Sequence, residues 1–266
     1  MNTLRIESEL PLLGSAPIRM MGLSIAPLRE REVIHVALDG VRAGRGGWIC
    51  PINLDVLRKV QGDPAQRDLV EQADLLTPDG MPLLWAGRLQ GTPFPERVSG
   101  SSLIRTLPAA GREANVKVFL LGGDTGVAEA AGAALERESP GVIVAGTHCP
   151  PFGFERSPEQ LAEIDAAVAG AQPDVVFVGL GFPKQEKLIL RLRERFPAIW
   201  FVSCGISLSF LSGDVARAPR WLQRLGLEWL HRLAQEPRRL ARRYLLEGLP
   251  FCARLLATAL RERVTA

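Results

Sequence analysis

Four short stretches of this chain carry residue types that can handle protons, hydroxyls or phosphate. Asp79 stands beside Gly80 in ADLLTPDGMPLLW, between two apolar segments. A carboxylate there could accept a proton, although Pro-Asp-Gly is also a common turn with a solvated or capping acid. Arg97 comes just ahead of a Ser/Gly helix start in PERVSGSSL, which suits an anion or simply a surface arginine. In LLGGDTGVAEAA, a strand, a glycine turn and a helix follow one another. Bare Gly122 and Gly123 would let a phosphate or a nucleotide edge approach the backbone. This is not the dinucleotide fingerprint GxGxxG, and plain strand–helix connectors share its pattern. In VFVGLGFPKQEKLI, Lys184 and a helix N-terminus are both positively polarised, and the Gln185 amide could grip hydroxyls or a base edge. Helix capping with a solvated charge pair explains the same residues.

The last quarter of the chain adds a different chemistry. From Asp214 onward there are eleven arginines against five acids, so this part is net +6 while the whole chain is +3. Trp221, Leu222, Leu225, Trp229 and Leu233 fall on one helical face within it. A basic, aromatic, helical tail on a mildly acidic body suits an anionic surface or ligand, or an ordinary helix pair with solvated arginines. No nucleic-acid partner is expected, and homo-oligomerisation is left open.

Other chemistries find little support. Cys50, Cys149, Cys204 and Cys252 are scattered without a CxxC pair, which argues against a zinc site or a disulfide framework and for a reducing compartment. His35, His148 and His231 are too dispersed for a metal site or a Ser/His hydrolase. No DxD occurs, so no metal is expected to hold a diphosphate, and arginines would have to carry its charge. No cofactor is expected. The N-terminus reads as neither a signal peptide nor a spanning helix, and the apolar run 249–260 is interrupted by Arg254 and too short to cross a bilayer. Membrane contact is therefore expected to be peripheral.

The elements that must position these residues alternate as βαβ units do. Apolar strands are predicted at 48–52, 117–121, 142–145, 174–179 and 199–203, with helices at 29–43, 54–61, 100–114, 126–139, 158–171 and 184–195. Strands apolar on both faces imply a parallel sheet covered by helices on both sides. Ligands then sit beyond the carboxyl ends of the strands, where Asn53 and the loops after 121, 179 and 203 lie. After Pro219 the pattern is helical, with breaks expected at Pro237 and Pro250 giving about three short helices. The expected fold is α/β: a Rossmann-like core over 1–213 and a basic amphipathic helical appendage over 214–266.

Taken in order, the Asn53 strand end, TPDGMP, ERVSGS, VFLLGG, VGLGFPKQEK and RAPRWLQRLGLEWLHRLAQEPRRLARRYL make the chain resemble the WecG/TagA/CpsF family of bacterial glycosyltransferases over roughly residues 20–262. The resemblance implies inverting, metal-independent transfer from a UDP-sugar to a polyprenyl-diphosphate-linked saccharide, at the inner face of the bacterial cell membrane. It implies an appendage that completes the active site and contacts an anionic membrane. It places Asp79 as the general base, Arg97 and Gln185 at the donor, Asn53 near the acceptor or sugar, and Arg232, Arg239 and Arg242 over the leaving diphosphate. Lys184, Gly122 and Gly123 join the substrate-binding set from the residue reading.

Four stretches depart from the family pattern: Pro51 for a threonine, GSSL with Ser102 for an aspartate, HCPPFGF (148–154) for an HGYF-like stretch, and CGIS (204–207) for a glycine-rich turn. These departures favour UDP-glucose, as in xanthan-type exopolysaccharide assembly. UDP-N-acetylmannosamine or its uronic acid is the alternative. A non-catalytic membrane adaptor would keep the tail without Asp79. A nucleotide-dependent oxidoreductase would need a GxGxxG that is not there.

Overall fold

The computed structural model describes residues 16–265. In chain order come strands β1 (Ile18–Met20) and β2 (Leu23–Ile25), helix α1 (Glu30–Arg42), strand β3 (Gly47–Ile52), helices α2 (Leu54–Gly62) and α3 (Pro64–Val70), and strand β4 (Leu75–Pro78). Helices α4 (Met81–Gln90) and α5 (Gly100–Gly111) precede strand β5 (Lys117–Gly122), helix α6 (Val127–Glu138) and strand β6 (Ile143–His148). Helix α7 (Pro158–Ala171), strand β7 (Val175–Gly179), helix α8 (Lys184–Arg195), strand β8 (Trp200–Ser203) and helix α9 (Ser207–Ser212) follow. The C-terminal part holds α10 (Arg220–Arg224), α11 (Glu228–Gln235), α12 (Pro237–Ala241), a π-helical segment (Arg242–Gly248) and α13 (Leu249–Thr265).

Six strands form one sheet in the order β4-β3-β8-β7-β5-β6, and the pairs β3–β8, β8–β7, β7–β5 and β5–β6 are parallel. The fold is α/β and Rossmann-like, and all five expected strands form. Strand β4 and the β1–β2 hairpin were not anticipated, because LLTP is too short to show a period and merges with the turn that follows. The hairpin turns on Met21 (φ +48°) and Gly22 (φ +87°), the two positive dihedrals of a type I′ turn.

The chain divides into two compact units. One comprises Glu30–Cys50 and Gly100–Ala216. Its core is aromatic: Trp48, Phe119, Phe177, Trp200 and Phe201 are almost wholly buried, each worth roughly 1.5–3 kcal/mol in removal from water. The indole N–H groups are not stranded, since Trp48 Nε1 donates to Ser203 Oγ at 3.1 Å and Trp200 Nε1 to the Arg45 carbonyl at 2.9 Å. At the carboxyl end of β5, Gly122 has φ +117°, and a Cβ there would come within 2.5 Å of the Gly179 carbonyl oxygen. Only glycine lets these two strand ends lie so close.

The other unit comprises the segment up to Arg29, Pro51–Ser99 and the segment from Arg217 onward. Within it α13 packs against α4, burying Phe251, Leu255 and Ala259, one helical face at a spacing of four. Gly226 (φ +75°) would place a Cβ 2.8 Å from Met81 Cβ, so the α10–α11 turn also depends on a bare glycine. Pro237 opens α12, where a missing N–H costs nothing. Pro250 does not break the helix as expected. It follows the π-helical segment, in which the Leu249 N–H reaches the Tyr244 carbonyl five residues back. That wider turn leaves room for the proline ring, and the helical path runs on into α13.

Candidate active site

Asp79 is held by two strand ends. Its N–H donates to the carbonyl of Ile52, the last residue of β3, at 2.9 Å, and it follows β4 immediately before Gly80, whose φ of +106° starts α4. Thr77 Oγ1 donates to the Val98 carbonyl at 3.1 Å, and the Val98 N–H donates to the Pro78 carbonyl at 2.9 Å. These bonds fix the loop bearing Arg97 alongside the strand that delivers Asp79.

Asp79 is half-buried, and loss of hydration is the largest influence on its carboxyl, whose pKa rises from 3.8 to about 6. Arg97 and Arg217 pull the other way, while Glu228 pushes upward with the burial. Arg97 is turned to the C-terminal segment: Nη1 donates to Glu228 Oε2 at 3.1 Å and Nη2 to Gln223 Oε1 at 3.5 Å. Arg217 Nε stands 3.6 Å from Glu228 Oε1. Asp79 and Arg97, singled out separately in the sequence, thus belong to one charged cluster. Glu228, Arg217 and Gln223 complete it and were not singled out. Glu228 and Gln223 lie over a hundred residues from Arg97 in sequence, so no local pattern could have flagged them.

The remaining sequence candidates of this unit are placed as follows. Asn53 caps α2, its Oδ1 accepting from the N–H groups of Asp55 and Val56 at 3.1 Å each. Arg232 and Arg239 converge on Glu236: Arg232 Nη2 donates at 3.2 Å and Arg239 Nη2 at 2.8 Å, with a second, closer contact from Arg239 Nε. The Arg239 hydrogen bond holds the Glu236 carboxyl below its ordinary range. Arg242 Nε pairs with Glu247 at 3.2 Å and remains largely exposed.

In the other unit, Gly122 and Gly123 lie at the carboxyl end of β5, and the Gly123 N–H donates to the Gly179 carbonyl at 3.1 Å. Lys184 opens α8 with its Nζ 2.8 Å from Glu155 and 4.5 Å from the centre of the Phe152 ring. Gln185 is buried, and its amide ties two loops together. Oε1 accepts from Gly181 and Gly205 N–H at 3.2 Å each, and Nε2 donates to Glu186 at 2.7 Å.

A carboxyl near neutral pKa beside clustered guanidinium groups can take a proton while an anion is held close by. The family model described as glycosyl transferase, WecG/TagA/CpsF family, matches residues 18–265. The chain belongs to the WecG/TagA/CpsF family. This glycosyltransferase is 30% identical, over 207 residues (78% of each chain), to an N-acetylglucosaminyldiphosphoundecaprenol N-acetyl-beta-D-mannosaminyltransferase of Bacillus spizizenii. It is 30% identical to the enzyme of the same name from Bacillus subtilis, over 72% of this chain and 73% of the relative. No helix among the described residues of the glycosyltransferase is long and apolar enough to cross a membrane. Nor, among those residues, is any group of three His, Cys, Asp or Glu placed to hold a metal ion.

Proposed function

We propose that this glycosyltransferase moves N-acetylmannosamine, with inversion, from a UDP-linked donor to an N-acetylglucosaminyl-diphosphate carried on a polyprenol. The observation that carries the reading is Asp79, a half-buried carboxyl with a pKa of about 6 directly after β4, in the charged cluster of Arg97, Arg217 and Glu228. Asp79 takes the proton of the acceptor hydroxyl as its oxygen bonds to the anomeric carbon, and the bond from that carbon to the UDP oxygen breaks. The leaving diphosphate gains charge, which preorganised guanidinium groups are suited to stabilise. Arg232, Arg239 and Arg242 serve there, with Asn53, Lys184, Gln185 and the Gly122–Gly123 turn contributing to substrate binding.

The donor is N-acetylmannosamine rather than glucose, the expectation drawn from the four sequence departures, because both Bacillus relatives are named for that sugar. The polyprenol end implies a membrane surface on the cytoplasmic side. Support comes from the exposed apolar residues of the C-terminal segment, including Trp221 at 61%, Leu225 at 57% and Leu246 at 73% of their full exposure, interspersed with arginines. The test is a donor comparison with a detergent-dispersed N-acetylglucosaminyl-diphosphate lipid, reading the product mass and UDP release. Transfer from UDP-N-acetylmannosamine is expected. Transfer of glucose alone would overturn the donor, and absence of both UDP binding and transfer would favour an adaptor.

A further inference from the structure

We infer that Glu228 is a positioning residue for Asp79: its carboxylate holds the guanidinium groups of Arg97 and Arg217 in ion pairs and keeps them from closing on Asp79. The inference rests on the reading of Asp79 as the general base. A carboxylate hydrogen-bonded by two arginines is a poor proton acceptor, because the cations stabilise its charged form and occupy its lone pairs. An active site that needs arginines near its base therefore needs something to restrain them.

Glu228 has the geometry for that task. Both of its oxygens are engaged, Oε2 by Arg97 at 3.1 Å and Oε1 by Arg217 at 3.6 Å. Arg97, Arg217 and Glu228 each keep only about a fifth of their side-chain surface exposed, so water screens these contacts weakly. Gln223 Oε1 takes the second Arg97 nitrogen, and Gln223 Nε2 is itself fixed on the Ala218 carbonyl at 2.6 Å. The arginine is thus held at both ends of its fork by Glu228 and Gln223. The charged groups that bear on Asp79 are Arg97 from the loop before α5, Arg217 from the turn before α10 and Glu228 at the start of α11. Of these, the two cations lower the Asp79 pKa and Glu228 alone raises it.

The Asp79 carboxyl carbon can be followed by 13C NMR in the full chain labelled at aspartate, with Asp79→Asn identifying its resonance. Glu228→Gln keeps the shape and removes the charge, so the midpoint should fall by about one pH unit as the arginines turn to Asp79. Glu228→Asp keeps the charge and should leave the midpoint near that of the parent. An unchanged midpoint in Glu228→Gln overturns the proposal. An equal fall in Glu228→Asp also overturns it, since shape rather than charge would then matter. If neither variant melts cooperatively, Gln223→Ala decides by freeing one end of the Arg97 fork: a lowered Asp79 midpoint supports the restraint, and an unchanged one overturns it. The acid limb of kcat/KM is measured on the same variants. A midpoint that moves while the limb stays would leave the coupling standing and remove Asp79 from the role of base.

Discussion

Arg243 Nη2 lies 3.0 Å from Asp55 Oδ2, and this pair fastens the π-helical segment to α2 directly after the Asn53 cap. Asp55 also meets Arg58 at 3.0 Å and Lys59 at 3.1 Å, while Glu247 reaches Arg58 at 2.8 Å and Arg242 at 3.2 Å. Asp55 thus joins Arg243 of the C-terminal segment to two cations of its own helix, and Glu247 links the same segment to Arg58.

Removing that acid should loosen the segment. Burial pushes the Asp55 pKa up, but Arg243, then Lys59 and Arg58, outweigh it and leave the carboxyl below its usual 3.8. Its contribution to stability is then present above 3.8 and lost as pH falls through the lower folded value. Asp55→Ala is expected to cost roughly 1–3 kcal/mol in urea unfolding at neutral pH, by removing the acid shared by Arg243, Lys59 and Arg58. A midpoint equal to that of the parent would show that the network contributes nothing.

Asp79→Asn should lower turnover by about 10²–10⁴-fold, because an amide cannot take the acceptor proton, while UDP binding persists. The same substitution should stabilise the fold. Asp79 is raised to about 6 from 3.8, so the unfolded chain ionises first and stability falls as pH climbs between those values. Above pH 6 that cost is fully present, on the order of 3 kcal/mol. Asp79→Asn should therefore melt higher than the parent at pH 7.5 and alike at pH 3.5. Near-parental turnover would assign the proton to another group.

Turnover in the parent should follow the same carboxyl. The acid limb of kcat/KM is expected near pH 6, where Asp79 titrates. An acid limb near pH 4 would place the base on an ordinary exposed carboxylate instead.

Activity should survive EDTA, since the chain has no DxD and the arginines are assigned the diphosphate. Loss on chelation, restored by Mg²⁺ or Mn²⁺, would overturn that assignment.

The tail arginines should separate by position. Arg239→Ala or Arg242→Ala is expected to cut turnover on a detergent-dispersed short-chain acceptor. Arg254→Ala or Arg261→Ala, exposed on α13, should chiefly weaken binding to anionic vesicles, by about 1 kcal/mol each at low salt. Equal losses of vesicle binding in all four, with the soluble assay untouched, would make the segment an anchor alone.

The sheet was legible in the sequence because runs such as VFLLG and VVFV are apolar on both faces and punctuated by glycine, which only a covered parallel strand satisfies. Asp79 and Arg97 could be picked out for the same local reason, each standing in a turn beside an apolar segment. Their role as one cluster was not legible. Glu228 is an ordinary acid in a basic run until the chain folds and returns it to Arg97, and the continuity of the helix through Pro250 depends on a π-helical turn that no propensity encodes. Backbone preferences act over a few residues and are written in the local sequence. The ion pairs around Asp79 and Asp55 join positions far apart in the chain, so only tertiary packing decides which charges meet and how far each is removed from water.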